Sequence, residues 1–291
     1  MITIDRLTKN YPDGKGIHNL SFQVPQGEVF GFLGPNGAGK TTTLRILMGF
    51  IRPDQGVARI KGKDTLGQRT KLKRIIGYLP GELHFFGKLS GQDLLDLLID
   101  MHGGAPTLKH NCAILRQRFD LDTSQKISKM SKGMKQKLGL ISAFMLGAEV
   151  LLLDEPTSGL DPLMQKVFID LIREEQKKGA TILMSSHQFA EIEKTCQRVG
   201  IVRDGNLLAV EEISRLKGIQ YQTFDIRAEN QEAASFLRES QLPIASQKGL
   251  WFKVAISGDL SLLWEVLSQT RISEFHQRAL ELEDAFLQYY R

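Results

Sequence analysis

Residues 34–42 read GPNGAGKTT, and residues 28–33 just before them read EVFGFL. Gly34, Gly39, Lys40 and Thr41 fit the spacing G-x-x-x-x-G-K-[ST], which marks a tight turn between a buried strand and a helix. The glycines let the backbone wrap closely. Successive N–H groups, from Gly34 through Asn36, Gly37, Ala38 and Gly39 to Lys40, Thr41 and Thr42, then point at β- and γ-phosphate oxygens. Lys40 adds a mobile positive charge, and the Thr41 hydroxyl can ligate Mg²⁺. The run KTTTLRILMGF that follows has helical spacing and is closed by Gly49 and Pro53. A glycine turn without function is the competing reading, and the flanking strand and helix argue against it.

A second stretch completes the chemistry. In VLLLDEP, residues 150–156, four apolar residues make a buried strand that fixes the carboxylates after it. Asp154 is expected in the Mg²⁺ shell. Glu155 is expected beside the γ-phosphate, polarising the attacking water. A third stretch, ISKMSKGMKQKLGL at 127–140, offers another anion site: Ser131 and Gly133 open a helix carrying Met134, Leu138 and Ile141. Read alone, it is an amphipathic helix with a lysine-rich face.

Strand and helix signals alternate around these motifs. GVARIKG and IIGYLP read as strands, and from about residue 90 to 147 the signals are mostly helical. Strand EVLLLD, helix 162–178, strand ATILMSS, helix QFAEIEKTC and a hairpin turning at Asp204-Gly205 follow. This order predicts an α/β core with a parallel sheet, an antiparallel N-terminal β subdomain and a helical subdomain at about 85–147. Near residue 219 the pattern changes. YQTFDIRA, QEAASFLRES, PIASQKGLWFKVAIS, LSLLWEVLSQ and ISEFHQR read strand, helix, hairpin, helix, strand, and LELEDAFLQYY reads as a closing helix. That is the order of a split βαβ unit, and it predicts a small α+β domain over 219–291.

Composition narrows the class. With 42% hydrophobic and 24% charged residues the chain is an ordinary globular protein. Its net charge of +5 is too mild to argue for nucleic acid. Cys112 and Cys196 lack disulfide or metal spacing and read as buried thiols in a reducing compartment. The longest apolar run, 138–154, is broken by Ser142 and Glu149 and falls short of the ~20 residues that a membrane span needs.

Taken together, GPNGAGKTT, MSKGMKQ, LLLDEP, SGLD and SSH resemble, in order and spacing over about residues 1–218, the ATP-binding subunit of an ABC transporter. The resemblance implies a P-loop ATPase using ATP and Mg²⁺. It also implies a head-to-tail dimer, of two copies or of paralogues, in which the Ser131–Gly133 turn closes on the phosphate held by the other subunit. MSKGM departs from the family's usual LSGGQ by Met130, Lys132 and Met134. Tyr11 resembles the aromatic that stacks on adenine, and His187 the switch histidine that bonds the γ-phosphate and holds Glu155 and water. Asp161 resembles the acid that communicates across the dimer, although an N-cap before Pro162 explains it equally. The family places a glutamine where this chain has Gly81. The neighbouring Glu82 is the residue that could offer Mg²⁺ an oxygen instead.

With no membrane helix of its own, the chain is expected at the cytoplasmic face of the cell membrane, peripheral through an integral permease that it drives. GYLPGE, SKGMKQK and the C-terminal LELEDAFLQYY resemble exporter ATPases of the drug, antibiotic-resistance and polysaccharide class. Two alternatives stand beside this: a soluble relative acting on ribosomes or DNA, and a nucleotide-sensing module of low turnover.

Overall fold

The computed structural model describes residues 1–218, 221–257 and 259–278. The chain divides into two compact units, Met1–Glu211 and Glu212–Arg291. The division falls slightly ahead of the change in pattern near residue 219.

The first unit opens with β1 (Ile2–Asn10) and β2 (Gly16–Val24), an antiparallel pair. Next come β3 (Val29–Leu33), α1 (Lys40–Leu47), β4 (Gln55–Ile60), β5 (Lys63–Asp64), the short α2 (Arg69–Leu72) and β6 (Ile76–Leu79). Three helices follow: α3 (Gly91–Met101), α4 (Pro106–Arg118) and α5 (Lys132–Phe144). The chain then alternates through β7 (Val150–Asp154), α6 (Pro162–Lys177), β8 (Thr181–Ser186), α7 (Phe189–Thr195), β9 (Arg198–Arg203) and β10 (Asn206–Glu212).

Two sheets result. One is antiparallel, in the order β2-β1-β4-β5, and the other has six strands in the order β10-β9-β3-β8-β7-β6. Within the second, β9, β3, β8, β7 and β6 run parallel. Every residue of β3, β7 and β8 is buried, as expected for strands covered on both faces. In β2, Leu20, Phe22 and Val24 are buried while Asn19, Ser21 and Gln23 between them are exposed, the pattern of a strand with one wet face. Phe22 stacks on Phe30 with ring centroids 5.2 Å apart, joining the two sheets. Phe32, Leu44, Leu47, Leu152 and Leu183 complete one continuous core. Both cysteines are buried and free, and burial pushes each thiol up.

The helical segment is pinned by local chemistry. Ser90 caps α3 in a reciprocal capping box with Asp93. Pro106 starts α4 at a position where its missing N–H costs nothing. Arg118 of α4 makes two hydrogen bonds, at 2.6 and 2.9 Å, to Glu174 of α6.

The second unit holds α8 (Ile213–Gly218), β11 (Tyr221–Ala228), α9 (Gln231–Glu239), β12 (Ile244–Lys248), β13 (Trp251–Ser257), α10 (Ser261–Ser268) and β14 (Ile272–Arg278). Its sheet runs β12-β13-β11-β14, with all three pairings antiparallel, which is the split βαβ arrangement. Phe224 and Ile226 pair with Val254 and Phe252. These four pack with Ala234 and Leu237 of α9 and Leu263 of α10 in a separate core. The expected closing helix, LELEDAFLQYY, lies outside the described residues.

The cores make a simple contrast testable. Phe32 is fully buried and Phe86 is 71% exposed. Phe32→Ala is expected to cost about 3–5 kcal/mol in urea unfolding, and Phe86→Ala about 0.5 kcal/mol or less.

Candidate functional site

The site is built where β3, β7 and β8 end. Parallel register sets Leu33 beside Ser186 and Asp154 beside Ser185, so the loops after these strands open level with one another. The loop after β3 is the glycine-rich turn. Gly39 caps α1 with φ of 96°, in the left-handed region, and a methyl group there would sit 2.3 Å from Ile17 Cγ2. Gly37 also has φ of 84°, but it faces open space.

Tyr11, Glu155 and loop residues 36–42 line a cavity of about 540 Å³, a size that suits a small organic ligand. Tyr11 is half-buried, and the Lys9 ammonium lies 6.0 Å from its ring centre. A cavity of about 610 Å³ opens beside the starts of β7 and β8. Its charged groups are already paired, Arg118 with Glu174 and Lys178 with Glu175, so its lining makes no demand for a ligand.

Lys40 is buried at 6% exposure, and its Nζ donates to the carbonyls of Gly34 at 2.5 Å and Pro35 at 3.1 Å. It also lies 3.3 Å from Glu155 Oε1. The other oxygen, Glu155 Oε2, meets His187 Nδ1 at 2.6 Å. Glu155 thus stands between two groups brought by the other two loops. Its backbone is held in an unusual conformation, φ of 49°, which costs a non-glycine residue about 1–2 kcal/mol. The Ser185 hydroxyl accepts from its N–H at 3.1 Å. On the other side, the buried Gln136 side chain of α5 donates to the carbonyls of Glu155 at 3.3 Å and Pro156 at 2.8 Å. Glu155 Oε1 is buried and accepts no hydrogen bond from the described residues.

Asp154 is wholly buried, and its Oδ1 accepts from Ser185 Oγ at 2.5 Å. Its Oδ2 has no hydrogen-bond partner among the described residues. A buried carboxylate oxygen left this way calls for a cation or a polar ligand. Burial and then the Asp154 charge push the nearby Tyr78 phenol up to about 12. Gly81 lies against the same oxygen: a methyl group there would come within 2.9 Å of it. Asp154 and Thr41 supply hard oxygen donors of the kind Mg²⁺ takes. Among the described residues no cluster of three or more His, Cys, Asp or Glu could hold a metal, so such an ion would need phosphate oxygens as well.

The remaining sequence-derived residues divide. Glu82 is exposed and lies 3.4 Å from His84. Ser131 caps α5, its hydroxyl accepting from Met134 N–H at 3.2 Å. Gly133 packs so closely that a methyl there would lie 2.8 Å from the Gly159 carbonyl, seating this turn against the SGLD loop. Asp161 caps α6 by accepting from Met164 N–H at 3.0 Å, the N-cap that Pro162 led one to expect. Sequence reasoning passed over Ser185, Gln136 and Glu191. All three are buried polar residues inside or next to quoted motifs, but no spacing rule says which backbone or side chain they reach.

The family model for ABC transporters matches residues 17–158. An uncharacterized ABC transporter ATP-binding protein of Bacillus subtilis, YcbN, is 31% identical over 99% of this chain and 96% of its own. The chain belongs to the ABC transporter ATP-binding proteins. The bacitracin transport ATP-binding protein BcrA of Bacillus licheniformis is 35% identical over 82% of this chain and 78% of its own. A dimeric bacterial ABC transporter cassette shares the fold, with a TM-score of 0.67 at 23% identity over 73% of this chain and 99% of that one. The P-loop α/β fold expected from the sequence is therefore that of the ABC ATPase, and the protein is an ATP-binding ATPase subunit of this family. No described helix is long and apolar enough to cross a membrane.

Two measurements test the geometry. Gly39→Ala meets both a clash and a strained φ, whereas Gly37→Ala meets only the strain. The first is expected to lower the melting temperature clearly more than the second. The second measurement concerns Glu191, a buried residue that is 8% exposed. Burial pushes it up to about 7, opposed by the Ser186 and Thr157 hydroxyls, with the Glu155 charge adding to the rise. The folded protein therefore keeps a proton that the unfolded chain releases above about 4.5. Stability is lost as pH rises from there to about 7, and stays lost above it. Glu191→Gln removes this term, so it is expected to raise the melting temperature more at pH 8 than at pH 5.

Proposed function

We propose that this chain hydrolyses ATP as one half of a head-to-tail dimer and drives export through a separate membrane permease. The observation that carries the hydrolytic part is the Glu155 carboxylate, set between Lys40 at 3.3 Å and His187 at 2.6 Å with Oε1 accepting no hydrogen bond. In this reading Oε1 takes the proton of the attacking water, and His187 orients Glu155 from the other side. The glycine-rich loop and Lys40 hold the triphosphate, and Tyr11 stacks on the adenine. Thr41 and Asp154 would hold Mg²⁺, which offsets phosphate charge when bound. Glu82 has no part in this arrangement, and Gly81 packs against Asp154 without a side chain.

The Ser131–Gly133 turn and Asp161 would complete the site of the opposing subunit. Their own caps leave N–H groups of α5 free to meet an anion. Moving a two-state pair from 1:99 to 99:1 takes about 5.5 kcal/mol of differential binding. A γ-phosphate gripped by charge-assisted bonds from both subunits is a reasonable source of it. Export is supported by the resemblance to a bacitracin transport ATP-binding protein and by the exporter-like stretches noted above. The permease would place the chain at the cytoplasmic face of the membrane. Residues 1–218 would form the ATP-binding domain and 219–291 an accessory one.

Lys40→Ala is expected to abolish phosphate release. Glu155→Gln should lower it by about 100-fold or more while retaining ATP, so that light scattering finds a stable dimer with ATP and Mg²⁺ present. Normal turnover by Glu155→Gln would remove the base assignment. A pull-down from detergent-solubilised membranes should recover an integral membrane protein. Recovery of ribosomal RNA instead would overturn the transport reading.

A further inference from the structure

His187 must be held in place if its ring is to hold Glu155, yet it sits on an exposed turn between β8 and α7. The structure explains how the turn is fixed. The Gln188 N–H donates to Ser186 Oγ at 3.0 Å, closing a tight loop around the His187 backbone. The Ser186 hydroxyl in turn donates to Glu191 Oε2 at 2.6 Å. Glu191 lies buried in the first turn of α7. The Thr195 hydroxyl donates to the Glu191 carbonyl at 2.7 Å, one helical turn later.

We propose that Glu191 is a positioning residue for ATP hydrolysis, fixing through the Ser186 hydroxyl the turn that presents His187 to Glu155. The inference rests on the reading of Glu155 and His187 as the hydrolytic pair. Two observations favour it over a purely structural role. A buried carboxyl costs free energy that an apolar side chain of similar size would not. Its short contact with Ser186 is made to the one hydroxyl that also closes the His187 loop. Glu191 does not line the nucleotide cavity, so its influence should fall on turnover and not on binding.

The test is steady-state phosphate release by the full chain, with ATP binding measured separately. Glu191→Ala and Ser186→Ala are each expected to lower kcat about tenfold with KM for ATP unchanged. Glu191→Gln, which still offers an acceptor oxygen to Ser186, should restore kcat to within about twofold of the natural chain. Combining Ser186→Ala with Glu191→Ala should cost little more than either alone, because both remove one linkage. Wild-type kcat in Glu191→Ala, equal damage from Glu191→Gln, or fully additive losses would each overturn the proposal. If Glu191→Ala does not fold, the proposal still requires Ser186→Ala to be slow and Glu191→Gln to be active. His187→Ala separates the two levels. Normal hydrolysis by that variant removes the hydrolytic pair itself, whereas its inactivity beside a fully active Glu191→Ala removes only the role of Glu191.

Discussion

The rest of the active region depends on one contact, the carboxylate of Glu155 shared between the ammonium of Lys40 and the ring of His187. Each group arrives from a different loop, after β3, β7 and β8, and the three strands are neighbours in the sheet. Lys40 is buried and Glu155 largely so, and charges so placed interact more strongly than in water. Removing one partner of a buried pair leaves the other uncompensated. The arrangement is therefore held to one geometry, and that geometry is set by strand register. A slip of one residue would turn Asp154 away from Ser185.

Around this contact the protein uses buried polar groups as braces. Ser185 serves twice, donating to Asp154 and accepting from the Glu155 N–H. Gln136 reaches from α5 to the Glu155 carbonyl, so the helix capped by Ser131 also steadies the backbone of Glu155. These bonds offset the strain of a non-glycine residue at positive φ, a cost that persists only where the surroundings fix the backbone. One oxygen, Asp154 Oδ2, is left buried without a hydrogen-bond partner among the described residues, and Gly81, which has no side chain, lies against it. The absence of a glutamine there thus has a visible consequence: the buried carboxylate oxygen lies against a glycine with no amide to bond it.

Much of the fold was legible. The apolar runs EVFGFL and VLLLD read as fully buried strands because both faces of a parallel strand are covered. The second unit was legible for the opposite reason, since YQTFDIRA alternates as a half-buried strand must. The glycine turn before α1 and the buried strand ending at Asp154 were legible because each is written in particular residue types at fixed spacing. Glu82 shows where such reading stops. Its charge suited a metal, but the backbone turns it toward His84 and solvent, and no residue pattern announces that direction.

The sequence by itself determined which groups could carry the chemistry and which strands would be buried, because periodicity and residue type are local properties. Tertiary structure alone decided which of those groups meet. Lys40, Glu155 and His187 are separated by more than a hundred residues from first to last, and only the order and register of the parallel strands bring them within reach of one another. The same is true of the braces. Ser185, Gln136 and Glu191 gain their roles from what the packed sheet and helices set opposite them, and that partner is a product of three-dimensional packing.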